Sequence, residues 1–144
     1  MAETVNDDTM SGEGLSAFDR FLDVARTKDF PQVLLLVFAE KEQRVAGGES
    51  EVSEADFSVK PAMYIDKKLA DIKNFMALQQ DSLENGKPWD LVFVTALDAG
   101  KFPQTVIDQR LEMMVKFIYQ GDSDRFLVFN QFGELVNLNK ISVH

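Results

Sequence analysis

The chain has 144 residues, of which 45% are hydrophobic and 27% are charged, values typical of a single globular domain. Its 24 acidic and 15 basic residues give a formal net charge of −9, and the basic residues are scattered along the chain. Because nucleic acids and anionic membranes are bound through clustered lysine and arginine, we expect neither as a partner. The absence of cysteine excludes disulfides, thiolate metal sites and thiol catalysis.

The first fourteen residues are polar and acidic, with four carboxylates and no basic side chain. This composition predicts a disordered leader over residues 1–14 and does not resemble a signal peptide. The longest apolar run, Val33–Ala39, is far shorter than the roughly 20 residues that a membrane-spanning helix needs. We therefore expect one domain over residues 15–144 and a cytoplasmic protein.

Three segments have the apolar spacing of amphipathic helices. The first begins near Ser16, which can form a capping box with Asp19. The second is predicted over residues 67–84, and the third extends from Pro103 to Gly121.

Three further segments are apolar on both faces, which is typical of strands covered on both sides of a sheet. They are Val33–Ala39, Asp90–Leu97 and Phe126–Phe129. After the loop Asn130–Gly133, the segment Leu135–Leu138 predicts the return strand of a C-terminal hairpin. Because strands alternate with helices, we expect a small α/β sandwich with a mixed, largely parallel sheet of four to five strands and about three helices.

The stretch between the first two predicted strands, residues 40–60, is polar and acidic, with Gly47-Gly48 near its centre. About 20 irregular residues inside a domain are unusual, so we expect a mobile loop or a segment that makes contacts. Residues 62–65 predict a short strand that closes this loop.

The sequence offers no complete set of catalytic groups. Its one histidine, His144, is the last residue, where it cannot be held against a substrate, so serine–histidine mechanisms are not expected. No glycine-rich stretch has the spacing of a nucleotide-binding loop. Trp89, the only tryptophan, is expected to pack in the core. We therefore assign no catalytic residue, no cofactor and no metal, and favour a protein without enzymatic activity.

A small-ligand or metal-dependent enzyme is the alternative. In a parallel sheet, ligands bind beyond the carboxyl ends of the strands, where Glu40, Asp98 and Lys101 would lie. The two carboxylates could hold Mg²⁺ or Ca²⁺ if their strands are neighbours. These side chains could equally be solvated loop residues, and the sequence leaves both interpretations open.

Phe132 lies in the predicted hairpin turn, where a large apolar side chain is unusual. It either folds back onto the sheet or is exposed as an anchor for a partner. Together with Gln131 and Leu135 it forms the candidate interaction surface. The final strand would also be a sheet edge, through which two copies of the chain could pair as a homodimer.

Three motifs resemble a family of small bacterial proteins of uncharacterised role. They are Phe38-Ala39-Glu40, residues 86–97 (Gly-x-Pro-Trp-Asp-Leu-Val-Phe-Val-Thr-Ala-Leu) and residues 126–133 (Phe-Leu-Val-Phe-Asn-x-x-Gly). The resemblance covers residues 15–138 and rests on strand cores and turns. Family members sometimes carry the label "ribonucleotide reductase subunit alpha". Catalytic subunits of that enzyme use a radical-carrying cysteine and a cysteine pair, so a chain without cysteine cannot perform the reaction. The resemblance implies at most an accessory role, in agreement with an interaction or regulatory module.

Overall fold

The computed structural model describes residues 15–43, 57–86, 88–122 and 124–137 of the chain. The helices and strands in chain order are α1 (Ala17–Arg26), β1 (Gln32–Gln43), β2 (Phe57–Lys68), a 3-10 turn (Leu69–Asp71), α2 (Phe75–Asn85), β3 (Leu91–Asp98), α3 (Gln104–Tyr119) and β4 (Leu127–Asn130). The predicted leader, most of the predicted loop 40–60 and His144 lie outside the described residues.

The four strands of the described residues form one sheet in the order β2-β1-β3-β4, and every neighbouring pair is antiparallel. The α/β class and the number of helices and strands are confirmed, but the mixed, largely parallel arrangement is wrong. That prediction assumed that each helix crosses over between two neighbouring parallel strands. Instead, β1 and β2 pair directly with each other, and the chain then passes through α2 to reach β3 on the other side of β1.

The sheet is the middle layer of a three-layer α/β/α sandwich. Side chains alternate between the two faces along a strand, and both faces of β1 are buried. The even-numbered residues 34–38 pack with α1 and α2, whereas the odd-numbered residues 33–39 pack with α3. This double coverage is the physical reason for the uninterrupted apolar run in the sequence.

The capping box predicted for the first helix is present. The Asp19 backbone N–H donates to Ser16 Oγ at 3.0 Å, and the Ser16 N–H donates to Asp19 Oδ2 at 3.3 Å. The second carboxylate oxygen, Oδ1, accepts a hydrogen bond from the backbone N–H of Phe75 at 2.8 Å. One carboxylate therefore caps α1 and also binds the first residue of α2, which fixes the two helices against each other.

The second helix begins later than predicted. Residues 67 and 68 end β2, the 3-10 turn follows, and α2 begins after Asn74, whose side chain accepts from the Ala77 N–H at 2.8 Å. The three-residue spacing of Leu69 and Ile72 matched a helix, but both side chains enter the core from the connection between β2 and α2. The predicted strand 62–65 is the central part of the longer β2.

An irregularity in β2 lies next to its proline. Phe38 pairs with Met63 and Ala39 pairs with Pro61, which leaves Ala62 without a partner in β1. A proline has no N–H to donate to a neighbouring strand and is confined to edge strands and bulges. Pro61 is therefore compatible with the edge position of β2.

Trp89 is buried in the core, as predicted. Its ring lies 5.1 Å from that of Phe38, between centroids, and its indole N–H donates to Ser82 Oγ at 2.8 Å. The Ser82 hydroxyl in turn donates to the Gln79 carbonyl at 2.7 Å. The tryptophan thus satisfies its polar atom inside the core through a serine of α2.

Replacing Ser82 with alanine should lower the free energy of unfolding by about 1–3 kcal/mol, because the buried indole N–H loses its acceptor. Urea unfolding followed by circular dichroism measures this loss. The same change at Ser58, an exposed position in β2, should cost less than about 0.5 kcal/mol. Equal effects at the two serines would contradict the importance of the buried hydrogen bond.

Candidate functional site

The structure separates the two carboxylates of the predicted cation site. Asp98 pairs with Gln32 at the start of β1, whereas Glu40 lies eight residues further along the same strand. At about 3.3 Å per residue, the two positions are roughly 25 Å apart. Shared coordination at oxygen–metal distances of about 2.0–2.6 Å is therefore ruled out. The antiparallel pairing explains the correction, since the carboxyl end of β1 lies beside the amino end of β3.

Asp98 and Lys101 remain neighbours within one turn. The Asp98 carboxylate accepts from the Gly100 N–H at 2.9 Å, and its carbonyl accepts from the Lys101 N–H at 3.1 Å. The side chain of Lys101 is exposed. Among the described residues, no group of three or more histidine, aspartate or glutamate side chains is arranged to hold a metal ion. The geometry of Asp98 is that of a turn-forming residue.

The C-terminal hairpin is present in shortened form. The Asn130 N–H donates to the Glu134 carbonyl at 2.9 Å, and the Val136 N–H donates to the Val128 carbonyl at 2.8 Å. The return segment makes a single β-bridge, between Phe129 and Leu135, instead of the predicted strand. Its predicted end at Leu138 lies outside the described residues. We refer to residues 130–135 as the hairpin tip.

Asn130 organises the loop of the hairpin tip. Its Oδ1 accepts from the backbone N–H of Phe132 at 2.8 Å and from that of Glu134 at 3.0 Å. Its Nδ2 also donates to Glu134 Oε1 at 2.9 Å. These bonds close the loop with one side chain. This role of Asn130 was not predicted, although an asparagine at the start of a turn is a recognisable signal for such a side-chain-to-backbone bond.

The hairpin tip is also fixed to the two helices on its face of the sheet. The Phe18 N–H at the start of α1 donates to the Gly133 carbonyl at 2.9 Å. The side-chain amide of Gln79 in α2 donates to the Gln131 carbonyl at 2.5 Å. The backbone of the hairpin tip therefore forms hydrogen bonds with α1, with α2 and with the Asn130 side chain of the tip itself.

The side chain of Phe132, in contrast to the backbone of the tip, is exposed to solvent. It is 71% exposed, and Leu135 beside it is also exposed. Of the two interpretations of Phe132, folding back onto the sheet does not describe the structure. Phe132 is therefore an exposed apolar group on a loop whose backbone is hydrogen-bonded to α1 and α2.

The described residues thus form a three-layer α/β/α sandwich with an antiparallel sheet and an exposed aromatic side chain at a hydrogen-bonded hairpin tip. Comparisons with protein-family models, with curated proteins and with solved structures each give no match. Among the described residues, no helix has both the length and the apolar character needed to cross a membrane.

Proposed function

We propose that the protein is a non-catalytic, cytoplasmic interaction module of accessory or regulatory function, which binds a protein partner through its hairpin tip. One observation carries this proposal: Phe132 is exposed on a loop whose backbone is held by α1, α2 and Asn130. Gln131 and Leu135 would surround the aromatic ring and complete the contact surface.

The energetic argument concerns the entropy of binding. Ordering a flexible loop on association costs free energy, so a loop that is already ordered retains more of its contact energy as affinity. An aromatic side chain adds a large apolar area with only two rotatable bonds. A partner with an apolar pocket would bury Phe132, and the surrounding residues would exclude water from the contact.

Phe132→Asp tests the proposal. If Phe132 is the central anchor, its loss should weaken partner binding by at least about 30-fold, the effect of losing roughly 2 kcal/mol. Affinity capture from native lysate with quantitative mass spectrometry identifies the partner, and titration with the purified partner measures the affinity. The fold should be unaffected, because the side chain makes little contact with the rest of the protein.

Tyr119→Asp is the matched control, since Tyr119 is 62% exposed but lies on α3, on the opposite face of the sheet. Binding that both variants reduce equally would contradict a role for the hairpin tip, as would recovery of no partner above background.

A second copy of the chain is one form that the partner could take. In that case sedimentation equilibrium should show a concentration-dependent dimer in the native protein and a monomer in Phe132→Asp. A native protein that stays monomeric up to high concentration would contradict the homodimer and leave a different protein as the partner.

A further inference from the structure

A groove of about 550 Å³ lies on the opposite face of the sheet from the hairpin tip, between α3 and the outer part of β3. It exists because β4 is shorter than β3. β4 pairs only with Leu91–Val94, so in the described residues no strand continues the sheet beside Thr95–Asp98. Beyond Val94, the side chains on the α3 face of β3 are therefore accessible from the side on which β4 pairs with the first half of β3.

The walls of the groove are mainly apolar. β3 contributes Leu97, α3 contributes Met113 and Phe117, and the segment before β4 contributes Phe126. Met113 is exposed although it lies beside these apolar neighbours. A ligand with an apolar body would remove this surface from water.

Among the described residues, the charged side chains that line the groove are those of two arginines, Arg110 and Arg125. The Arg125 guanidinium lies 4.1 Å from the centroid of the Phe117 ring and also donates to Asp122 Oδ2 at 3.1 Å. The Arg110 guanidinium lies 4.9 Å from the centroid of Phe102, and no carboxylate of the described residues pairs with it. In a chain with a net charge of −9, this local positive charge favours an anion.

We propose that this groove binds a free medium-chain carboxylate, a fatty acid, with its head group on Arg110 and its alkyl chain along α3 towards Phe117. The planar guanidinium presents two parallel N–H groups to a carboxylate, and stacking on Phe102 holds it in place. Arg110 and Phe117 are seven residues apart on a helix, so the apolar path is about 10 Å long. Arg125 carries its own carboxylate partner and so contributes less than Arg110.

Methionine methyl groups report directly on this site. In protein labelled with [¹³C-methyl]methionine, sodium dodecanoate, titrated below its micelle concentration, should shift the Met113 and Met114 signals saturably. Met76 on α2 and Met63, which packs with the opposite face of the sheet, should not shift. If the signals of all four methionines shift together, or if the shifts do not saturate, the result indicates non-specific adsorption and overturns the proposal.

The head-group contact has its own test. Arg110→Ala should raise the dissociation constant for dodecanoate about tenfold, the typical effect of losing a hydrogen bond to a charged group. Arg20→Ala, at an exposed position on α1, should leave it unchanged.

Dodecanol, which has the same chain without the charge, should bind about as weakly to the native protein as dodecanoate does to Arg110→Ala. Equal affinities for dodecanoate and dodecanol, or equal effects of the two arginine variants, would overturn the proposal. Phe132→Asp should retain dodecanoate binding, so this test is independent of the hairpin tip.

Discussion

Phe18→Ala is expected to lower the free energy of unfolding by about 3–5 kcal/mol, the usual cost of removing a fully buried aromatic ring. The Phe18 side chain has no exposed surface. Its ring centroid lies 4.9 Å from that of Phe129 in β4 and 5.3 Å from that of Phe75 in α2. The truncation would leave a cavity where α1, α2 and the sheet meet, and these three elements have little freedom to move into it.

Chemical unfolding monitored by Trp89 fluorescence and circular dichroism measures the loss. The matched control is Phe30→Ala, since Phe30 is 44% exposed and its truncation leaves no enclosed cavity. The control should cost less than about 1 kcal/mol. Similar losses for the two phenylalanines would contradict the position of Phe18 at the centre of the core.

The elements that the sequence predicted well are those specified by nearby residues. The capping box of α1 needs only Ser16 and Asp19, and α3 needs only its apolar spacing after Pro103. The buried strands β1 and β3 were recognisable because their neighbouring layers leave neither face in water. Each of these signals is contained within one segment of the chain.

The direction of strand pairing could not be predicted in this way, because it depends on contacts between distant segments. β2 was the decisive element, because the apolar–polar alternation of its first four residues, Phe57 to Lys60, is interrupted at Pro61. Pro61 and the polar residues near the ends of β2 divided it, in the sequence, between the end of a loop, a short strand over 62–65 and the start of a helix. Once β2 is reduced to a short strand that closes a loop, the long apolar strands alternate with helices and a parallel sheet is the natural inference.

The error in pairing direction also explains why the predicted cation site was wrong. Glu40 and Asp98 were brought together only by the assumption of parallel strands, and the register of β1 with β3 separates them. The two interpretations of Phe132, folded back onto the sheet or exposed, rested only on the local chemistry of a turn, and the structure exposes that side chain. The groove beside Arg110 depends on β4 being shorter than β3, which no segment of the sequence reveals by itself.

Gly133→Ala is the change that links the geometry of the hairpin tip to its proposed role. Gly133 has a φ of +79°, and an added Cβ would lie 2.6 Å from Ser16 Cβ and 3.0 Å from Phe75 Cδ2. We expect a loss of about 2–5 kcal/mol in unfolding free energy, from left-handed backbone strain together with the steric conflict. Gly121→Ala separates these two causes, because Gly121 has a φ of +82° with nothing within 4 Å of the added Cβ. It should cost only the backbone strain, about 1–2 kcal/mol.

A double-mutant cycle isolates the contact with α1. In a Ser16→Gly background the closest atoms are removed, so the additional cost of Gly133→Ala should fall towards that of Gly121→Ala. Glycine is tolerated at a helix N-cap, so the background itself should remain folded.

If the hairpin tip acts as a fixed support for Phe132, Gly133→Ala should also weaken partner binding at temperatures where it is fully folded, although Phe132 itself is unchanged. Binding equal to that of the native protein would mean that the aromatic side chain alone determines affinity and that its fixed position contributes nothing.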